Sequence, residues 1–567
     1  MHYILIAWIS LANLSIYCLA RRTLEDPKDI LGLHKRMHSK DAEFTDLGKE
    51  YVRGSIWPKP QSEVRSSTIY HILPQQFQFK IIEREDNTGG NAQKHKAILQ
   101  NAIARYRQLT FPQSNTCQER VEDDEENSYI NHLNIQVQDY VQPIGEKMNE
   151  SYSLKIDAEG SVLKSHSVWG ALRGLETFSQ TVHINGSCYK VHRNYIKDKP
   201  RFSFRAFLID TSRHFIPKKV IFAFLDAMSY SKFNVLHWHA VDDPSFPFES
   251  KTFPNLHKKG AFTPKHVYRP KDVQDIIEYA RLRGIRVMPE FDTPGHVHSW
   301  SGQKGLLTDC ESTSQVEEMF KDLKGPIDPT LQANYEFLKD FFKELSEVFP
   351  DTMIHLGGDE VDFTCWESNQ KIKEWLEQKP GRKVQDLHTL FLNKLVEITT
   401  KLNKTNVVWQ EVFDDNVRIN PKNTIVNVWK QDQGNSWKEE IGKVTAKGFR
   451  TILSSPWYLN YIAYGLDWPN FYKEDPQGPV QDQKAQSDLV IGGSACMWGE
   501  YVDSTNILQR SFGRSFAVAE RLWSDKSVNN VKEAMPRIWE HRCRYLERGI
   551  PAEPVTRAKF CVHEWGE

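Results

Sequence analysis

The run His355-Leu-Gly-Gly-Asp359-Glu360 sets two adjacent acids behind two glycines, at the end of a short apolar stretch. Glycines permit close turns and leave room beside a ligand. Other apolar stretches end in the same kinds of residue: Asp210 and Arg213, His239 and Asp242, Glu290 and Asp292, Trp409 and Glu411, Trp429, Trp457 and Tyr458, Trp498 and Glu500. Carboxylates beside flat aromatic rings suit glycosidic bond cleavage, in which one carboxylic acid protonates the leaving oxygen and a second acts as nucleophile or base. Adjacent strand residues do not face each other across a bond, so Asp359 is badly placed as the opposite partner of Glu360. A 2-acetamido group on the substrate can replace that partner, with Asp359 orienting it. Such intramolecular attack is worth an effective molarity of roughly 10⁵–10⁸ M. A conventional two-carboxylate retaining mechanism is the other reading. The Asp359 charge and the indole faces are expected to raise the pKa of Glu360 and equip it as a proton donor.

Histidines give a weaker signal. His237 and His239 alternate beside Asp242, a pattern that also suits a metal, but no HExxH or clustered Cys/His set accompanies them. No metal and no cofactor is expected. His296, in Asp-Thr-Pro-Gly-His at a strand end, reads as functional rather than structural.

The elements that hold these residues follow a regular grammar. Strand-like runs occur at 204–209, 234–239, 285–291, 353–356, 406–409, 424–429, 451–453 and 489–491. Helical periodicity lies between many of them, at 218–231, 270–283, 332–348 and 384–401. Eight alternating repeats predict an α/β fold, a (β/α)8 TIM barrel, with chemistry at the end where strands pass into loops. A doubly wound open sheet is the alternative, but no Gly-rich phosphate loop follows the first strand. Residues 56–198 read as a smaller α+β domain and 199–567 as the catalytic domain. Within the smaller one, 97–107 and the stretch after Ser167 look helical, and 130–137 and 153–156 look like strands.

Residues 1–20 are apolar and end in Cys18-Leu19-Ala20 ahead of Arg21-Arg22, the form of a signal peptide, with a retained anchor as the alternative. Residues 21–55 read as a polar leader. No other segment is apolar enough to span a bilayer. With 73 basic against 74 acidic residues, the chain lacks the basic excess of a nucleic-acid binder. Asn149, Asn185 and Asn403 begin N-glycosylation patterns, consistent with the secretory pathway and a lysosomal or secreted destination.

Taken together, HLGGDE, Asp210-Thr-Ser-Arg-His214, His237-Trp-His-Ala-Val-Asp-Asp243, Glu290-Phe-Asp-Thr-Pro-Gly-His296 and Trp498-Gly-Glu500 resemble glycoside hydrolase family 20, in particular its lysosomal-type animal β-N-acetylhexosaminidases. The resemblance runs from about Trp57 to Cys561. It implies that Glu360 is acid and then base, that Asp359 holds the acetamide nitrogen and that Tyr458 holds its carbonyl oxygen. It further implies that Trp409, Trp429 and Trp498 wall the sugar and that Arg213, Asn460 and Glu500 bind its hydroxyls. Asp242 and His296 are implied to tune Glu360. Glycan substrates and a homodimer are implied as partners, and disulfides at Cys310–Cys365 and Cys543–Cys561. Two departures stand out. After Pro456-Trp-Tyr-Leu comes Asn460-Tyr461, matching neither the Asn-Arg nor the Asp-Leu of the two main animal subunit types, and the loss of the cation implies neutral substrates. No cysteine precedes the helix near Ala97, which leaves Cys117 and Cys188 as an unestablished pair and Cys496 as a free buried thiol. A catalytically silent glycan-binding protein is the reading from another class, but binding alone does not need a proton donor.

Overall fold

The computed structural model describes residues 53–82, 90–112, 129–185, 188–310, 324–430, 436–463 and 465–561. The expected signal segment and leader, Cys117 and the side chain of Asn185 lie outside them. Residues 53–531 and 537–567 form one compact unit, described below; of the other, 1–52 with 532–536, only 532–536 are described. Among the described residues no helix is long and apolar enough to cross a membrane.

The first region is a seven-stranded mixed sheet in the order Ser62–Ile72, Cys188–Asp198, Tyr152–Ile156, Ser161–Ser167, His132–Asp139, Gln78–Ile81, with His183–Asn185 paired outside that path to Cys188–Asp198. The helices Gly90–Thr110 and Val168–Thr181 contact each other. Ser167 caps the second through its side chain, accepting from the amides of Trp169 and Gly170. Every residue of that helix is buried. On one side Gly174 lies so close to the sheet that a Cβ there would meet Leu163 at 2.2 Å. On the other, Arg173 donates to the carbonyls of Arg283 and Gly284.

From Phe204 the chain closes a parallel barrel. Its strands are Phe204–Asp210, Val235–Val241, Arg286–Phe291, Met353–His355, Thr405–Trp409, Thr424–Val428, Arg450–Leu453 and Val490–Met497, and each pairs with its neighbours around the ring. All eight predicted runs are strands. Alternating side chains point inward. One inward layer is apolar, with Phe204, Ala206, Val235, Met288, Met353, Val407, Ile425 and Ile452 in a single buried cluster. Two residues further along several strands, the inward positions become His237, Glu290, His355 and Trp409, all buried. The barrel is therefore plugged with hydrocarbon below and lined with polar and aromatic groups above.

Candidate active site

The Gly-Gly turn of HLGGDE has to pass close over the third barrel strand. Gly357 sits at φ +72°, where a Cβ would lie 1.5 Å from Asp292 Oδ1, and Gly358 sits at φ +100°. The Gly358 amide donates to Asp292 Oδ1 at 3.0 Å. The turn delivers Glu360 at φ +50°, and across from it His296 has φ +57°. Left-handed backbone is uncommon for residues with a Cβ and clusters at functional sites.

Asp359 and Glu360, adjacent in sequence, occupy different surroundings. Asp359 is buried, and its Oδ1 has no hydrogen-bond partner among the described residues. Its carboxyl group faces that of Asp292. Burial raises both pKa values, and the Asp359 charge pushes Asp292 well above the usual carboxylate range. The Glu360 side chain is 59% exposed, with Oε2 3.5 Å from His296 Nε2. The hydrogen bond to His296 holds Glu360 below the ordinary carboxylate range. This corrects the expectation of a raised value. Asp359 shares its charge with Asp292, and Glu360 faces an imidazolium rather than indoles. His296 itself titrates well above an ordinary histidine, because Asp242 and Glu360 outweigh its burial.

His296 Nδ1 lies 3.3 Å from Asp242 Oδ1, whose other oxygen is 2.8 Å from His239 Nε2 and 2.8 Å from Arg213. Arg213 also pairs with Asp210 at 3.0 Å and lies over the Trp498 ring, 5.2 Å from its centroid. The aromatic wall is continuous. Trp409 contacts Trp498 at 5.9 Å and Trp429 at 6.5 Å, and Tyr458 stacks on Trp429 at 6.1 Å. Leu208, Trp409, Tyr458, Cys496 and Trp498 form one cluster with Trp429 packed against it. Cys496 is a free buried thiol, and burial pushes it up to about 12. Asn460 is half-buried, with Oδ1 unpartnered among the described residues, and Glu500 is exposed but near enough to raise the pKa of Arg213.

The structure thus brings Glu360, Asp359, Asp242, His296 and Arg213 together by direct contact, and Trp409, Trp429, Trp498 and Tyr458 as a second set. Trp429 is held by Glu411, which accepts its indole N–H at 2.8 Å. Sequence reasoning placed Asp292, Glu290, His239 and Glu411 at strand ends without giving them a task, and His355 only as the start of a motif. Their inward position on successive strands was the available signal.

Among the described residues, three groups combine metal-ligand types within reach: His237, Glu290 and His355; Asp242, Asp243 and His296; Asp292, His296 and Asp359. The last two share residues with the contacts above. Disulfides join Cys310 to Cys365 and Cys543 to Cys561. Cys188 is also disulfide-bonded. Asn403 is exposed at a turn with φ +58°. Asn149 is half-buried, with Oδ1 accepting from the Ser151 amide at 2.9 Å.

Comparison with known proteins extends over nearly the whole chain. The profile "Glycosyl hydrolase family 20, catalytic domain" matches residues 202–526, and "beta-acetyl hexosaminidase like" matches residues 56–181. Beta-hexosaminidase subunit beta of Homo sapiens is 47% identical over 515 residues, covering 90% of each chain. Beta-hexosaminidase subunit alpha of Rattus norvegicus is 44% identical over 518 residues, covering 90% of this chain and 96% of that one. Among solved structures, the Flavobacterium johnsoniae chitobiase superposes with a TM-score of 0.74 at 26% identity, covering 87% of this chain and 73% of the other.

Proposed function

The chain belongs to glycosyl hydrolase family 20 and is a β-N-acetylhexosaminidase, and on that premise we propose that it releases terminal β-linked N-acetylglucosamine or N-acetylgalactosamine by substrate-assisted catalysis. The observation that carries the mechanism is the unpartnered, buried Oδ1 of Asp359 beside Glu360. A buried acceptor without a donor is costly, and a substrate N–H is the partner it lacks.

In the first step Glu360, protonated, gives its proton to the glycosidic oxygen as the C1–O bond breaks. The acetamide carbonyl oxygen bonds to C1, forming an oxazolinium ion, and the aglycone leaves as an alcohol. Asp359 accepts the acetamide N–H and stabilises the positive charge, and Tyr458 donates to the acetamide oxygen. In the second step Glu360, now a carboxylate, takes a proton from water. The water oxygen bonds to C1 and the acetamide is restored, so configuration is retained.

Trp409, Trp429 and Trp498 wall the sugar, and Arg213, Asn460 and Glu500 bind its hydroxyls. Asp242 and His296 support and tune Glu360. Substrate that covers Glu360 removes its water and raises its pKa toward that of a donor. Tyr461, exposed and stacked on Tyr458 at 5.9 Å, offers no cation, so neutral sugars are the preferred substrates over 6-sulfated ones. The relatives are named as subunits, which supports an oligomer, here a homodimer by the family resemblance. The apolar first twenty residues and the exposed Asn403 support entry to the secretory pathway.

Turnover of an aryl β-N-acetylglucosaminide at acid pH, with Glu360→Gln alongside, tests the assignment. Glu360→Gln should keep its fold and lose roughly 10²-fold or more in kcat; near-wild-type kcat would remove Glu360 from the acid role. A thiazoline that mimics the oxazoline should inhibit strongly, and indifference to it would favour the two-carboxylate mechanism. No turnover by the wild-type chain would leave a glycan-binding role.

A further inference from the structure

Beneath the pocket, four ring nitrogens from four positions in the barrel come within 3.2 Å of one carboxylate. Glu290 is fully buried. Its Oε1 accepts the Trp409 indole N–H at 2.7 Å and lies 3.2 Å from His355 Nδ1. Its Oε2 lies 2.8 Å from His237 Nε2 and 2.9 Å from His239 Nδ1. His239 has a carboxylate oxygen near each ring nitrogen, because its Nε2 meets Asp242 Oδ2 at 2.8 Å. From there the contacts run through His296 to Glu360. A single side chain therefore touches both the aromatic wall and the arm that ends at the acid.

We propose that Glu290 and His239 act together as positioning residues for the glycosidase reaction, Glu290 fixing the Trp409 ring with one oxygen and, with the other, the His239 that orients Asp242, His296 and Glu360. The proposal rests on the family 20 reading above. Rotating the carboxylate to suit one side disturbs the other, so the wall and the acid are held in register. Remote groups that hold reacting atoms in place carry a large kinetic effect, since a misplacement of about 1 Å can cost roughly 10²-fold.

Electrostatics agree with the geometry. Glu290 and Asp242 flank His239 and raise it to about 10, against its burial, so it is an imidazolium. Burial instead lowers His237 to about 4, leaving it neutral. The three histidines in turn keep Glu290 well below the usual carboxylate range. Asp292 and Cys496 also feel the Glu290 charge, and Asp242 faces Arg213 as well as the two imidazoles. His239 meets Trp498 edge-on at 4.8 Å.

His239→Gln removes a buried positive charge but leaves Glu290 with Trp409, His355 and His237. Loss of that charge favours the protonated form of every neighbouring group, so the limbs of the kcat/KM–pH profile should move to higher pH by about one unit. The kcat should fall roughly tenfold or more with KM nearly unchanged. Glu290→Gln should lower kcat and also raise KM, because Trp409 loses its anchor. His237→Gln, which removes a neutral contact of the same carboxylate, should leave the profile unmoved. A wild-type profile and kcat in His239→Gln would overturn the proposal. So would an equal shift in His237→Gln, which would make the cluster mere packing. If Glu290→Gln fails to fold, the two histidine variants still decide. Wild-type turnover measured in the same series separates this outcome from failure of the family reading: without it that reading falls, and with it only the positioning role is at stake.

Discussion

Asp359 and Glu360 are neighbours in sequence, yet one carboxyl group is buried against Asp292 and the other looks out toward His296. On the proposed mechanism, Asp359 is the group that takes the acetamide N–H. Burial and the Asp359 charge push Asp292 well above the usual carboxylate range. Asp359→Asn should therefore lose turnover by roughly 10²-fold or more and bind a thiazoline inhibitor more weakly, because an amide cannot balance the oxazolinium charge. Unchanged inhibition would detach Asp359 from the acetamide. Glu411 makes a second prediction. Burial raises it to about 8 from 4.5, so the folded state holds a proton that the unfolded chain releases. Its contribution to stability is fully present below about 4.5 and lost as pH rises through about 8. Tm should fall across that window, and Glu411→Gln, which cannot ionise, should fall less; equal slopes would show that other groups set the dependence.

At the scale of elements, the turn after the fourth barrel strand depends on its glycines for two different reasons. Both have a φ that side chains rarely adopt, and a Cβ would lie 1.5 Å from Asp292 Oδ1 at Gly357 and 2.4 Å from Val412 at Gly358. Gly357→Ala should destabilise by more than about 2 kcal/mol and cost more in activity than in stability, because Asp292 would have to move. Chemical denaturation alongside kcat checks this, and full activity would mean that the turn can relax. The eight barrel strands were legible because all face packed layers on both sides and read as apolar runs. The strands Ser62–Ile72, Ser161–Ser167 and Cys188–Asp198 were not. Ser62–Ile72 is largely exposed with Glu, Arg and Ser along it, and the other two alternate polar and apolar residues too weakly to separate from loop.

At the scale of the whole unit, the sheet and the barrel are joined by charges that neither could bury alone. Glu150 pairs with Arg173 at 2.9 Å and with Arg205 at 2.6 Å, all three buried. Lys232, with no exposed side chain, meets Asp198 at 2.9 Å. Breaking a buried pair by deleting one partner leaves an uncompensated charge, costing about 3–5 kcal/mol. Glu150→Ala should lower stability by that order, and the unit should unfold in one transition. Two transitions, with only one moved by the substitution, would show that sheet and barrel are stable separately.

By itself the sequence determined the barrel, its reactive end, the acid pair and the aromatic wall. Those follow from local matters: apolar runs alternating with helical periodicity, glycines before acids, and residue types at the ends of the runs. Only the tertiary structure decided the protonation of the site. A pKa is set by which charges approach across strands distant in sequence, and the approach of Asp292 to Asp359, or of His296 to Glu360, is written in no single segment. The same holds for Glu290. Its four partners lie at 237, 239, 355 and 409, and closure of the barrel is what brings them to one carboxylate.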